Sequence, residues 1–415
     1  MTTRLTTPAR ETGVMTQATQ KVPVLGLKEQ YQPLANELEA NVLSVLRSGN
    51  YILGEHVKGL EVEVAKLSNA EQAVGVANGT DALILALWAL NIGPGDEVIT
   101  TPFTFAATVE AIALRGAKPV FVDIDPETFN INTKQIEAVI SKKTKAILPV
   151  HLYGHPADMD PIMELANKYK LFVIEDNAQA IAATYKGKTT GSFGDVGCIS
   201  FYPTKNLGAA GDAGMVTANN KEVADRLRKL RAHGMWVRYY HDELGVNSRL
   251  DEIQAVILRT KLKYLSGWND RRRQIAKLYE TLLNGCPGVT LPKVHPDVTH
   301  VWHQYTIRVH NTISPETKSR DILQTKLAEL GIGSMCYYPV PLHMQKAFSQ
   351  YGYAQGDFPI TETVSDEVLS LPMYPELTDA QVKLVAQSVQ QIMNELHNVA
   401  PLATPIATQP VVGKV

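Results

Sequence analysis

LFVIEDNAQAIAATYKGKTTGSFGDVGCISFYPTKNLGAAGDAGMVT, residues 171–217, carries three strand-like runs and the residues that follow each of them. LFVIE (171–175), GCISF (197–201) and GMVT (214–217) are short, apolar or β-branched, and bounded by Gly, Asp, Asn or Pro. Runs of that length between turn residues read as buried strands. Upstream the pattern recurs as AVGVA (73–77), EVIT (97–100), PVFVD (119–123) and AILPV (146–150). Helical stretches at 81–90, 104–115, 133–141 and 156–169 separate most of these runs, and another follows at about 221–232. Such alternation predicts an α/β fold with a parallel-rich sheet of seven strands covered by helices on both faces.

Downstream the texture changes. DEIQAVILRTKLKYLSGW (251–268) reads as one long helix that starts at Asp251 and runs toward a second lobe. That lobe holds the strand candidate YTIRV (305–309), a helix at about 318–330, a Pro-rich loop YYPVPLH (337–343) and a last helix at about 378–396. The expected layout is a large α/β domain over 21–265 and a smaller C-terminal α+β domain over 266–397. Residues 1–20 and 398–415 are Thr/Ala/Pro-rich without periodicity and read as disordered tails.

Composition narrows the function classes. The chain has 415 residues, with 40 Lys+Arg against 42 Asp+Glu, a net charge of −2. That balance argues against binding nucleic acid or an anionic membrane through a bulk positive field. The longest apolar runs fall short of the roughly 20 residues of a membrane span. Three cysteines make neither a CxxC pair nor an even disulfide framework, so the reading is a cytoplasmic protein. No G-x-G-x-x-G follows the first strand and no phosphate-binding P-loop occurs. The histidines give no HExxH; His151/His155 and His300/His303 have no nearby carboxylate or cysteine partner to finish a metal site, and none is expected.

In α/β sheets, ligands gather at the carboxyl ends of strands. After the first strand come Asn78, Gly79, Thr80 and Asp81, then a helix. Glycine permits close approach, and a helix start offers free N–H groups suited to phosphate, although a capped helix explains the pattern equally well. Asp176 directly follows LFVIE. A carboxylate there can bind magnesium, pair with an arginine, hold a proton on a heterocyclic nitrogen, or cap a helix. After GCISF, Lys205 sits in YPTKNLG between hydroxyls and glycines. An amine held against a sheet edge is what Schiff-base chemistry requires.

Five motifs occur in one order at strand and helix ends: ANGTDAL (77–83), TPFTFAAT (101–108), EDNAQA (175–180), SFYPTKNLG (200–208) and GVNSRLDEIQA (245–255). Together they closely resemble the DegT/DnrJ/EryC1/StrS family of pyridoxal-phosphate sugar aminotransferases, from about residue 22 to 395. The resemblance implies a fold-type-I, aspartate aminotransferase-like architecture and a homodimer with shared active sites. It places Lys205 where the family forms its internal aldimine with pyridoxal 5′-phosphate, and Asp176 where a carboxylate pairs with the pyridine nitrogen. Gln179 matches the contact to the phenolic oxygen and Phe105 the aromatic stacked on the ring. Gly79, Thr80 and Ser200 match the phosphate cradle, and Asn247 a phosphate contact from the partner subunit. Arg249, Tyr337, Tyr338 and Arg238 are the candidate substrate contacts.

The activity implied is transfer of an amino group from L-glutamate to a keto sugar on a nucleotide, with the 3-keto position favoured. Lysine at 205 favours transamination over the dehydratases of the family, which carry histidine there. An aminocyclitol or 4-keto-sugar transaminase, a sugar dehydratase, and a cofactor-binding regulator without turnover are the alternatives.

Overall fold

The computed structural model describes residues 21–311 and 318–399. All seven expected strands form and lie in one sheet: β1 (Gln72–Val76), β2 (Glu97–Thr100), β3 (Lys118–Phe121), β4 (Thr144–Ile147), β5 (Phe172–Asp176), β6 (Val196–Ser200) and β7 (Gly214–Ala218). Their order is β1-β7-β6-β5-β4-β2-β3. β7 runs antiparallel to both neighbours, and the remaining pairings are parallel.

Period-two alternation explains why the strands read as continuous apolar runs. Val74, Cys198 and Val216 join the core under helices Gly79–Ala89, Ala106–Leu114 and Lys221–Leu230. Their neighbours Ala73, Ile199 and Met215 face helices Glu55–Ser68 and Glu252–Leu262 instead. A strand buried on both faces has no polar side to show.

Four local expectations shift. The helix expected over 251–268 is two helices, Glu252–Leu262 and Leu265–Leu283. At the break, Lys263 Nζ and the Tyr264 hydroxyl both donate to the Glu37 carboxylate, at 2.5 and 3.0 Å. The stretch 133–141 is one helical turn, Thr133–Ile136, followed by a 3₁₀ turn. The helix expected from 156 starts at Met159, after the Pro156 loop whose carbonyl accepts from Asn130. The last helix runs through Val399, so the expected C-terminal tail begins later than 398; the rest of both tails lies outside the described residues.

The C-terminal lobe is a three-stranded antiparallel sheet, Val289–Thr290, Tyr305–Val309 and Val368–Leu371, in that order. Helices Leu265–Leu283, Ser319–Glu329 and Asp379–Val399 pack on it around the stacked rings of Tyr279 and Tyr305, 4.8 Å apart. Val22 belongs to this core although the sequence reading gave it to the large domain. Its backbone pairs with residues 331 and 333, so the described chain starts in the second lobe and crosses to the first.

Candidate active site

A cavity of about 900 Å³ opens at the carboxyl ends of β1, β5 and β6. His303, Gln304, Tyr337 and Tyr338 of the C-terminal lobe close it from the other side. Gly79, Thr80, Phe105, Asp176, Gln179, Ser200, Lys205, Tyr337 and Tyr338 all line it, so residues distant in sequence meet in one place.

One wall is a cradle. The Asn78 Oδ1 caps helix Gly79–Ala89 by accepting from Asp81 N at 2.8 Å, and Gly79 and Thr80 form the first turn, whose N–H groups have no intrahelical acceptor. A Cβ on Gly79 would lie 2.6 Å from Ser200 Cβ, and one on Gly214 would lie 2.3 Å from the Asn78 carbonyl. Two glycines therefore let β6, β7 and the helix start converge. Free N–H groups at a helix start beside a serine suit a phosphate.

Asp176 ends β5 and is buried. Burial pushes its carboxyl above the usual range, opposed by hydrogen bonds from the Thr108 hydroxyl (2.8 Å) and Ala178 N (3.2 Å) and by the charge of Lys205. No helix follows, so the capping alternative falls away. Lys205 lies on the loop after β6, its N–H donating to the Tyr202 carbonyl at 2.8 Å. Burial lowers its ammonium to about 8, with Asp176 acting in the opposite sense. Roughly a tenth of such an amine is neutral and nucleophilic at pH 7, far more than of an ordinary lysine.

Gln179 ties the lobes together: its Oε1 accepts from Tyr153 N at 2.7 Å and its Nε2 donates to the Tyr338 hydroxyl at 3.1 Å. The Tyr153 hydroxyl donates to the Tyr337 carbonyl. Phe105, just before helix Ala106–Leu114, is 57% exposed, with its ring 6.2 Å from that of Tyr338. A flat apolar ring left open to a cavity is placed to cover another ring.

Asn247, Arg249 and Arg238 are not part of this wall in the single chain. Asn247 is exposed and bridges Ala232; Arg249 is half-buried with no acceptor for its Nε; Arg238 is exposed, its guanidinium 5.0 Å from the Tyr239 ring centre.

The fold also supplies partners the sequence hid. His151, read as lacking a carboxylate, meets Glu175 at 3.0 Å, both fully buried. Its Nδ1 accepts from Ala157 N, which leaves the proton on Nε2 for Glu175. Glu175 also accepts from the N–H groups of Gly191, Phe193 and Gly194, which braces β5 one residue before Asp176. Thr104, Thr108, Tyr153 and His303 line the cavity too, and none was singled out as a candidate. TPFTFAAT did flag Thr104 and Thr108, four residues apart, but spacing alone does not show what a hydroxyl meets. Among the described residues, no three His, Cys, Asp or Glu side chains gather as metal ligands, and no helix is long and apolar enough to cross a membrane.

Residues 32–390 match the DegT/DnrJ/EryC1/StrS aminotransferase family. The chain is 50% identical over 372 residues to a pleiotropic regulatory protein of Geobacillus stearothermophilus, covering 89% of this chain and 98% of the relative. It is 48% identical over 380 residues to a UDP-N-acetyl-3-dehydro-alpha-D-glucosamine 3-aminotransferase of Acidithiobacillus ferrooxidans, covering 92% and 100%. The solved structure of S. venezuelae DesV in complex with a ketimine intermediate is similar with a TM-score of 0.87 and 42% identity, over 90% of this chain and 99% of that one. Solved relatives hold pyridoxal phosphate or its pyridoxamine form. The cradle at Gly79, the buried Asp176 and the lysine with a lowered pKa fit that group. The chain belongs to the DegT/DnrJ/EryC1/StrS aminotransferase family, with its fold-type-I architecture and its pyridoxal-phosphate cofactor.

Proposed function

We propose that this chain transfers an amino group from L-glutamate to the 3-keto position of a nucleotide-linked sugar, in two alternating half-reactions. The observation that carries the reading is Lys205, with its lowered pKa, sharing one cavity with the buried Asp176. Relatives named for 3-amino sugars on UDP and dTDP support the choice of acceptor. When bound, pyridoxal phosphate supplies an aldehyde for covalent attachment and a ring that accepts electrons.

The residues divide the work. Lys205 Nζ would be the attachment point for the cofactor's aldehyde and the base that moves the proton at the amino donor's α-carbon. Asp176 would hold a proton on the pyridine nitrogen by a charge-assisted hydrogen bond. Gly79, Thr80 and Ser200 would hold the phosphate, and Phe105 would cover the ring. Gln179 contacts the phenolic oxygen; its Nε2 has a second hydrogen beyond the one given to Tyr338. Tyr337 and Tyr338 face the sugar. Asn247, Arg249 and Arg238 act on a partner subunit in a homodimer, Asn247 at the phosphate and the arginines at the substrate. We assign the smaller domain to 266–397 together with the segment at Val22, the large domain to the rest of 21–265, and the enzyme to the cytoplasm.

Following the cofactor's absorbance tests this. Glutamate should discharge the band of the loaded protein, and a UDP- or dTDP-linked 3-keto sugar should restore it. Restoration by the 4-keto isomer alone would move the site of amination, and no response to any amino donor would leave a cofactor-binding regulator.

A further inference from the structure

We infer that Thr108, backed by Thr104, is a positioning residue that holds the proton between Asp176 and the cofactor on the cofactor's side. The inference rests on the reading of Asp176 as the partner of the pyridine nitrogen.

The geometry fixes the direction of every hydrogen. An ionised carboxylate only accepts. Thr108 Oγ1, 2.8 Å from Asp176 Oδ2, must therefore be the donor. Its lone pairs then face Thr104 Oγ1 at 3.0 Å, so the Thr104 hydroxyl donates to it. Two hydroxyls point one after the other at a single carboxylate oxygen, and each bond polarises the next. All three side chains are buried. The other carboxylate oxygen takes the Ala178 N–H at 3.2 Å.

The placement is not what a helical threonine does by habit. Such a residue commonly returns its hydroxyl to the carbonyl one turn back. Thr108, in helix Ala106–Leu114, reaches instead across to the end of β5. The consequence is electronic. Burial makes the Asp176 carboxylate more basic, and the Thr108 hydroxyl opposes that. Lys205 and His151 are the other charged or titratable groups acting on it, both in the same sense as Thr108. A more basic carboxylate would draw the shared proton from the nitrogen, and a neutral pyridine is a weaker electron acceptor. Thr108 thus keeps the nitrogen charged without touching the cofactor.

The test uses the full-length enzyme loaded with cofactor labelled with nitrogen-15 in its ring. Thr108→Val removes the hydroxyl at nearly constant shape, and Thr108→Ser restores it. The ring-nitrogen chemical shift should move toward the neutral form in Thr108→Val and return in Thr108→Ser. The glutamate half-reaction should slow roughly tenfold in the first and recover in the second, the scale of one hydrogen bond to a charged group. Thr104→Val, one step further back, should move both readouts less and in the same direction. It also stands in if Thr108→Val does not fold. A wild-type nitrogen shift in a folded Thr108→Val, or in Thr104→Val where that variant stands in, overturns the inference. An unchanged shift in Asp176→Asn would instead overturn the reading of Asp176 itself.

Discussion

In the proposed function, Lys205 concentrates the chemistry of the molecule in one amine. Lys205→Ala should bind the cofactor only noncovalently and lose transamination by about a thousandfold or more, since attachment and proton transfer depart together. Borohydride reduction of the loaded wild-type enzyme followed by peptide mapping should label Lys205 and no other lysine. Covalent loading of cofactor-free protein requires the neutral amine. With the ammonium lowered to about 8, the loading rate should rise about tenfold per pH unit below that value and level off above it. A rate that kept climbing to the range of an ordinary lysine would remove the role of burial. At this scale the sequence was readable wherever function sits directly after a strand: Gly79, Asp176, Ser200 and Lys205 all lie at such ends and all line the cavity. Side-chain pairs across the fold were not readable. Thr108 meets Asp176 because the sheet brings helix Ala106–Leu114 to the end of β5, and His151 meets Glu175 because β4 lies beside β5.

Helix Gly79–Ala89 shows how an element builds a binding wall from backbone alone. Gly79→Ala places a methyl 2.6 Å from Ser200 Cβ and 3.2 Å from its Cα, so the helix start must move away from β6. Cofactor affinity, measured by titrating cofactor-free protein, should fall at least tenfold; the same affinity as wild type would show that the cradle is not formed there. Asn78→Ala removes the cap to Asp81 N and should cost about 1 kcal/mol of stability in denaturant unfolding. The strands were legible because burial on both faces leaves an unbroken apolar run between turn residues. Helices Ala35–Ser48 and Glu55–Ser68 were not, since each starts without a side-chain cap, after Leu34 and Gly54. Their helicity is settled by packing: Leu38 and Val45 bury against Val256 and Ile257 of helix Glu252–Leu262. Helix Ala35–Ser48 also carries Glu37, which accepts from Lys263 and Tyr264 at the break after Leu262.

For the molecule as a whole, the loop from 235 to 246 leaves Trp236, Val237, Tyr239, Tyr240 and Leu244 each more than half exposed, beside Asn247. An apolar cluster of that kind suits a twofold interface. If the proposed homodimer shares its sites, inactive Lys205→Ala mixed with inactive Arg249→Ala under subunit exchange should regain about a quarter of wild-type activity, because half the dimers would be hybrids with one intact site each. No recovery despite verified exchange would keep Arg249 within its own chain. The place of β7 has a consequence in time. β1 pairs only with β7, Val76 opposite Gly214, and Gly214 packs against the Asn78 carbonyl under the cradle. On the ribosome, β1 therefore waits, its apolar edge unpaired, until residues beyond Lys205 have emerged. The proposed phosphate wall begins at Asn78 and is complete only once Gly214 has joined it, about halfway along the 415-residue chain, so the cofactor cannot be held before that point. Nascent chains stalled before Gly214 should neither retain the cofactor nor escape chaperones that hold exposed strands.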